Sequence, residues 1–155
     1  MMELQSVPIL IAAEDPADRK VLGKALADAG YRKIVTVADG RKAVAAMEGE
    51  FFPIVIAGPR LAGMDGFELC RTLRARNLPG YVYILMLTRG NRRSEILKGL
   101  EAGADGHLAR PVDPADLDAR LQAARRVIDL ERRLRLSHEE VRALSIRDSL
   151  TGIFN

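Results

Sequence analysis

Short apolar runs alternate along the chain with segments whose apolar residues recur every three or four positions. The first run, residues 7–13 (Val-Pro-Ile-Leu-Ile-Ala-Ala), is apolar throughout and predicts a strand buried on both faces, as in a parallel sheet. Asp15 and Pro16 then supply a helix cap and a proline suited to the first helical position. A helical pattern follows as far as Gly30, so the chain begins with a β-α unit.

The same unit recurs four more times. The later strands are predicted at residues 33–37, 53–57, 82–87 and, more weakly, 105–109. Asp39 and Asp65 are predicted to cap the second and third helices, and the last helix begins near Asp113. The apolar residues of the fourth helix are Ile96, Leu97 and Leu100. Helices between successive strands predict a five-stranded parallel, doubly wound α/β sheet, in which ligands bind outside the carboxyl ends of the strands.

The last helix carries two apolar stripes. The first suits packing on the sheet and consists of Leu117, Leu121, Ala124 and Ile128. The second alternates three- and four-residue steps, as a heptad seam does, and consists of Val127, Leu130, Leu134, Ser137, Val141 and Leu144. Pairs Asp129–Arg133 and Glu131–Arg135 flank it in the favourable order. Residues 115–150 contain no Gly or Pro, so about 35 helical residues would extend roughly 50 Å. We favour a coiled-coil dimer over a single exposed signalling helix.

Composition narrows the class of protein. The chain has 155 residues, of which 48% are hydrophobic and 29% charged, so it can form a packed core and is not globally disordered. The single cysteine, Cys70, excludes a disulfide framework and a cysteine-based zinc site. The histidines His107 and His138 lie too far apart in the sequence to suggest a metal pair.

Charge and hydropathy indicate where the chain works. No run approaches about 18 consecutive apolar residues, and the first seven residues lack the basic start of a secretory signal. We therefore expect a cytoplasmic protein with no membrane partner. The net charge is only +3, and arginines and acidic residues are equally numerous between Asp113 and Asp148, which argues against nucleic-acid binding.

Four motifs, in order and correctly spaced, resemble those of the response-regulator receiver (CheY-like) family. They are Ala13-Glu14-Asp15-Pro16, Gly63-Met64-Asp65-Gly66-Phe67-Glu68-Leu69, Ile84-Leu85-Met86-Leu87-Thr88 and Gly99-Leu100-Glu101-Ala102-Gly103-Ala104-Asp105-Gly106. The resemblance covers about residues 7–128. It implies a flavodoxin-like fold and a role in two-component phosphorelay signalling. Glu14 and Asp15 correspond to the family's acidic pair and Thr88 to its hydroxyl residue. Without the resemblance, a helix cap at Asp15, a solvated Glu14 and a turn-capping Thr88 are the simpler interpretations.

The chain departs from the family pattern at its central position. In the family an aspartate stands seven residues before the Asp of the Met-Asp-Gly motif, and here that position is Gly58. The family's lysine before Pro111 is Arg110, and its aromatic switch position is His107. Glycine has no side chain, so no acyl phosphate can form at residue 58, and Asp65 is a poor substitute because it caps the next helix.

These departures support a hypothesis about the site. Two carboxylates, Glu14 and Asp15, form at most a weak Mg²⁺ site, so no cofactor is expected. A guanidinium can pair with Glu14 or Asp15 more firmly than an amine, so Arg110 is expected to replace the phosphorylation-dependent contact with a permanent ion pair. Two alternatives remain: the site has decayed and only the scaffold is used, or another acid is phosphorylated in a conventional phosphorelay.

The final residues, 148–155 (Asp-Ser-Leu-Thr-Gly-Ile-Phe-Asn), resemble the opening of a GGDEF diguanylate cyclase domain. The catalytic Gly-Gly-Asp-Glu-Phe motif is absent, so this chain is not itself an enzyme that makes cyclic di-GMP. The resemblance implies a receiver domain at 1–128, a signalling helix at 129–147 and the start of a GGDEF domain at 148–155, belonging to an incomplete segment of a bacterial response regulator. The expected partners are a second copy, through the helix or a receiver face, and a sensor kinase or another signalling protein.

Overall fold

The computed structural model describes the backbone of residues 3–154 and the side chains of residues 3–142. A short 3-10 turn, Leu4–Ser6, precedes five alternating strands and helices. The strands are β1 (Ile9–Ala12), β2 (Ile34–Val37), β3 (Ile54–Ala57), β4 (Tyr83–Arg89) and β5 (Gly106–Arg110). The helices are α1 (Pro16–Asp28), α2 (Gly40–Gly49), α3 (Gly66–Ala75), α4 (Arg93–Ala102) and α5 (Pro114–Phe154).

The five strands form one parallel sheet in the order β2-β1-β3-β4-β5. Strands β1 and β3 lie inside it and are completely buried, which explains their continuous apolar sequences. One core lies between the sheet and helices α1 and α5, and the other lies beneath α2, α3 and α4. The predicted doubly wound, CheY-like fold is confirmed.

The helix caps also form as predicted. The carboxylate of Asp15 accepts a hydrogen bond from Ala17 N at 2.9 Å, and that of Asp39 accepts one from Arg41 N at 2.7 Å. Asp65 accepts from the backbone of the first turn of α3 at 2.8 Å. These bonds satisfy helix N–H groups that have no partner inside the helix. They also fix where the loops at the carboxyl edge of the sheet end.

The apolar face of α4 differs from the prediction. Leu97 and Leu100 are 47% and 51% exposed, and the residues that face the sheet are Gly99 and Ala102. A Cβ at Gly99 would come within 3.2 Å of the Met86 side chain. The helix therefore lies too close to β4 for leucines on that face, and small residues take the buried positions.

Helix α5 carries both predicted stripes. Leu117, Leu121, Ala124 and Ile128 are buried against the sheet. Leu130, Leu134 and Val141 of the heptad seam are 57%, 70% and 63% exposed, and Val127 is partly exposed. The seam residue Leu144 lies outside the residues whose side chains are described. The helix continues past the expected end near residue 150 to Phe154, and no described helix is long and apolar enough to cross a membrane.

Candidate functional site at the carboxyl edge of the sheet

The carboxyl ends of the strands bring the predicted site residues together. Glu14 and Asp15 follow β1, Gly58 follows β3, and Arg110 ends β5. Both acids and Arg110 line one cavity of about 130 Å³, together with Pro59, Arg60 and Arg89. This grouping is the one expected for a parallel sheet, because its strands all end at the same edge.

Gly58 directly follows β3 at this edge of the sheet, and no atom crowds its Cα. Its N–H donates to the Ala12 carbonyl at 2.8 Å, which continues the ladder between β1 and β3. A Cβ built on Gly58 would lie 3.7 Å from Arg110 Nη2 and 3.8 Å from the nearest backbone atoms, Ala12 O and Ala13 Cα. These are ordinary van der Waals distances. A Cβ is therefore accommodated at residue 58 without a clash.

Arg110 forms an ion pair, but with a different acid from those predicted. Its Nη2 lies 2.9 Å from Oδ2 of Asp18, rather than pairing with Glu14 or Asp15. The Asp15 carboxylate is used by the cap of α1, and Glu14 is exposed. Asp18 lies one turn into α1, with less than a fifth of its side chain exposed, so its carboxylate is the more protected partner. The guanidinium of Arg110 thus lies beside Gly58 and is held from α1.

The acidic pair is a poor match for a divalent cation. Mg²⁺ requires oxygen ligands in near-octahedral geometry, and the cluster here offers Glu14 and a capping Asp15 with a guanidinium in the same cavity. Within residues 3–142, no group of three or more His, Cys, Asp or Glu side chains is placed to hold a metal ion. The residues present therefore do not fit a tight Mg²⁺ site.

Thr88 has a structural role at this edge, whereas His107 lies near the start of β5, away from it. Thr88 is buried, and its hydroxyl donates to the Gly90 carbonyl at 2.9 Å, so it closes the turn after β4. His107 is half-buried on β5, opposite Met86. Burial, together with the positive charge of Arg120, lowers the pKa of His107 below its usual value and favours the neutral imidazole.

The family comparison agrees with this geometry. Residues 9–122 match the model of the response regulator receiver domain. The chain belongs to this family. Within the matched residues, Pro111 follows Arg110 through a cis peptide bond.

Similar proteins include response regulators of several kinds. The transcriptional regulatory protein TcrA of Mycobacterium tuberculosis is 37% identical over 79% of this chain and 47% of its own length. The structure of a protein described as a response regulator from Chloroflexus aurantiacus J-10-fl is 32% identical, with a TM-score of 0.72 over 76% of this chain and 95% of that one. A protein described as a two-component system response regulator/GGDEF domain protein shares the fold at 20% identity, with a TM-score of 0.75 over 81% of this chain and 52% of that one. This receiver spans about half the length of the curated relatives it matches.

Three residues of the site were not assigned to it from the sequence. Asp18 is the ion-pair partner of Arg110, and Arg60 and Arg89 line the same cavity. Arg89 also pairs with Glu95, whose carboxylate accepts from the Arg89 backbone N–H at 2.9 Å and its Nε at 3.2 Å. One signal was available for Arg60 and Arg89, because both lie at or just after the carboxyl end of a strand. Nothing in the local sequence around Asp18 marks its contact with the distant Arg110.

Proposed function

We propose that this chain is the regulatory receiver module of a two-component response regulator and that it works without phosphorylation. The observation that carries the proposal is Gly58 at the acceptor position, with the Arg110 guanidinium beside it and paired to Asp18. In receiver chemistry a carboxylate oxygen attacks phosphorus and the donor's leaving group departs with the bonding electrons. Residue 58 has no such oxygen, and of the two acids beside it Asp15 caps α1 while Glu14 is exposed.

The ion pair between Arg110 and Asp18 is consistent with a site that keeps one conformation. Arg110 and Asp18 are only partly exposed, so their attraction is screened less than that of a surface pair. Arginine remains charged at any physiological pH, so the pair does not depend on a modification. We infer that the contact between β5 and α1 is permanent, and that signals reach this receiver by association rather than by covalent change at residue 58.

The first test is direct phosphorylation. The native chain incubated with a small-molecule phosphodonor and Mg²⁺ is expected to show no added phosphoryl group by intact-mass measurement. A phosphorylatable receiver that retains its acceptor aspartate is the positive control. A stoichiometric gain of one phosphoryl group on the native chain would refute phosphorylation-independence and support the use of another acid.

We further propose that the output passes through α5 to a second copy of the chain. The buried stripe that ends at Ile128 and the seam of Leu130, Leu134 and Val141 lie about a third of a turn apart on the helix. The seam therefore lies on a different face of the helix from the stripe that packs on the receiver core, and it is free to meet a second helix. The seam covers barely three heptads, so we expect a reversible dimer of modest affinity.

The proposed output domain is a diguanylate cyclase. Support comes from residues 148–155, which resemble the opening of a GGDEF domain, and from helix α5, which continues without a break to Phe154. A paired helix can transmit a rotation or a shift in register to the domains that it joins. The input to the module is proposed to be a sensor kinase or another signalling protein that binds the receiver surface.

Polar substitutions in the seam test the dimer. We expect Leu130→Gln/Leu134→Gln to weaken self-association at least tenfold in sedimentation experiments, since it removes two exposed leucines from the seam while keeping good helix formers. Leu136→Gln is the matched control, because Leu136 is also exposed, at 55%, but lies off the seam. Equal dimerisation by the seam variant and the native chain would assign association to a receiver face instead.

A further inference from the structure

The extended part of α5 is attached to the receiver by polar contacts just beyond the last buried apolar residue. We propose that Glu131 and Arg135 are positioning residues that clamp α5 to the loop between α3 and β4. By doing so they set which face of the helix is free. The inference rests on the proposed function in one respect: the face left free is the one proposed to meet a second copy.

The contacts bridge two turns of the helix and one loop. Arg135 Nη1 donates to the Pro79 carbonyl at 2.7 Å. A carboxylate oxygen of Glu131 accepts from the Tyr81 N–H at 3.4 Å, and the other accepts from Arg135 Nε. The predicted Glu131–Arg135 pair therefore forms, and both members also bind loop backbone. A hydrogen bond in which one partner is charged is stronger than one between neutral groups. Here Glu131 and Arg135 each make such a bond to the loop and also bind each other.

The loop itself is anchored in the domain by Arg74 and Asp105. Arg74 donates to Asp105 Oδ2 at 2.7 Å, to the Gly103 carbonyl at 2.8 Å and to the Val82 carbonyl at 2.6 Å. The Tyr81 hydroxyl donates to the other oxygen of Asp105, and the Arg74 guanidinium lies 4.8 Å from the centre of the Tyr81 ring. Burial and this hydrogen bond raise the pKa of Tyr81 to about 12, so the donor stays protonated. The clamp thus holds the helix against a fixed point.

The clamp also continues the pattern of the helix. Residues 117, 121, 124 and 128 face the sheet in steps of four and three, and the same steps lead to Glu131 and Arg135. The face that packs on the domain therefore changes from apolar to polar where the sheet ends, because the loop offers backbone hydrogen-bond groups rather than an apolar surface. Leu130 and Leu134 are left on the outer side.

Hydrogen exchange on the full chain tests the clamp. In Glu131→Ala/Arg135→Ala, we expect the Tyr81 amide and the amides of residues 129–136 to exchange about three to ten times faster than in the native chain, since alanine has no side-chain group to replace the two hydrogen bonds to the loop. Asp129→Ala/Arg133→Ala is the matched control: it removes an i,i+4 pair from the same turns without touching the loop. Arg135→Lys keeps a charged donor and is expected to restore part of the protection.

The outcomes separate this inference from the proposed dimer. Unchanged exchange at Tyr81 in the clamp variant, or equal acceleration in clamp and control variants, would overturn the clamp even if the native chain dimerises. Sedimentation of the same samples tests the dimer independently. A monomeric native chain would remove the dimer proposal, and accelerated exchange confined to the clamp variant would still establish the attachment of α5 to the loop.

Discussion

A chain carrying both Gly58→Asp and Arg110→Lys is expected to take up one phosphoryl group from a small-molecule donor in the presence of Mg²⁺, whereas the native chain takes up none. The backbone at residue 58 accepts a Cβ, which would meet no atom closer than 3.7 Å, and the nearest of those atoms belongs to Arg110, which the second substitution replaces. The new carboxylate would stand beside Glu14 and Asp15, which supplies the third acidic ligand that the native site lacks.

The second substitution is needed because of Arg110. A carboxylate at residue 58 would lie within reach of the Arg110 Nη2 and would form a salt bridge with it. Such a pair lowers the nucleophilicity of the carboxylate and competes with Mg²⁺ for it. Lysine keeps one positive charge but lacks the forked guanidinium. We therefore expect Gly58→Asp alone to be phosphorylated at least tenfold more slowly than the double variant.

Intact-mass measurement over time checks this prediction. Gly58→Asn/Arg110→Lys is the control, since asparagine has nearly the same shape as aspartate and no nucleophilic carboxylate. Peptide mapping should place the added group at residue 58. If the double variant gains no phosphoryl group while remaining folded, the prediction is wrong, and residues 58 and 110 are not the only positions that keep this edge from being phosphorylated.

Gly66→Ala is expected to produce the largest loss of stability of any single change considered, about 3 kcal/mol. Gly66 begins α3, and a Cβ at this position would lie 1.9 Å from the Gly58 carbonyl oxygen and 2.9 Å from its carbon. Both are backbone atoms that side-chain rotation cannot move. The loop between β3 and α3 would have to shift, and the bond from Gly66 N–H to the Pro59 carbonyl at 3.1 Å would be lost with it.

Urea denaturation followed by circular dichroism measures the effect. Gly23→Ala is the matched control, because a Cβ at Gly23, within α1, would have no neighbour within 4 Å. Alanine is the better helix former, so this variant should gain about 0.5–1 kcal/mol. A Gly66→Ala variant as stable as the native chain would show that the helix does not approach the Gly58 carbonyl as closely as described.

Much of the fold follows from local sequence. Buried parallel strands need continuous apolar runs, and residues 7–13 and 53–57 satisfy that need without reference to the rest of the chain. A capping aspartate acts within three residues of itself, so Asp39 and Asp65 could be assigned correctly. The buried face of α4 could not be assigned from the sequence. Gly99 is buried because the helix approaches β4 closely, and that approach depends on the whole sheet.

The candidate site was also predictable only in part from the sequence. The gathering of Glu14, Asp15, Gly58 and Arg110 was predictable, because parallel strands end together. The pairing of Arg110 was predicted wrongly. The expected position of Arg110 at the same edge of the sheet as Glu14 and Asp15 suggested one of those two acids, but the outcome depends on which carboxylate near α1 is free and which side of the helix faces β5.

The clamp on α5 was predictable from the sequence only in part. The Glu131–Arg135 pair was visible as an i,i+4 spacing, since partners on one helix are neighbours by geometry alone. Their contacts with Pro79 and Tyr81 cross about fifty positions of sequence and needed the fold to be seen.

The amino-acid sequence by itself determined that residue 58 has no carboxylate, that five β-α units form a receiver and that an apolar seam runs along the last helix. These are properties of residue identity and spacing. Only the tertiary structure decided that Arg110 pairs with Asp18, that small residues occupy the buried positions of α4 and that the loop before β4 binds α5. The energies of ion pairs, close packing and hydrogen bonds fall off within a few ångströms. The distances between residues remote in sequence are set only when the chain folds.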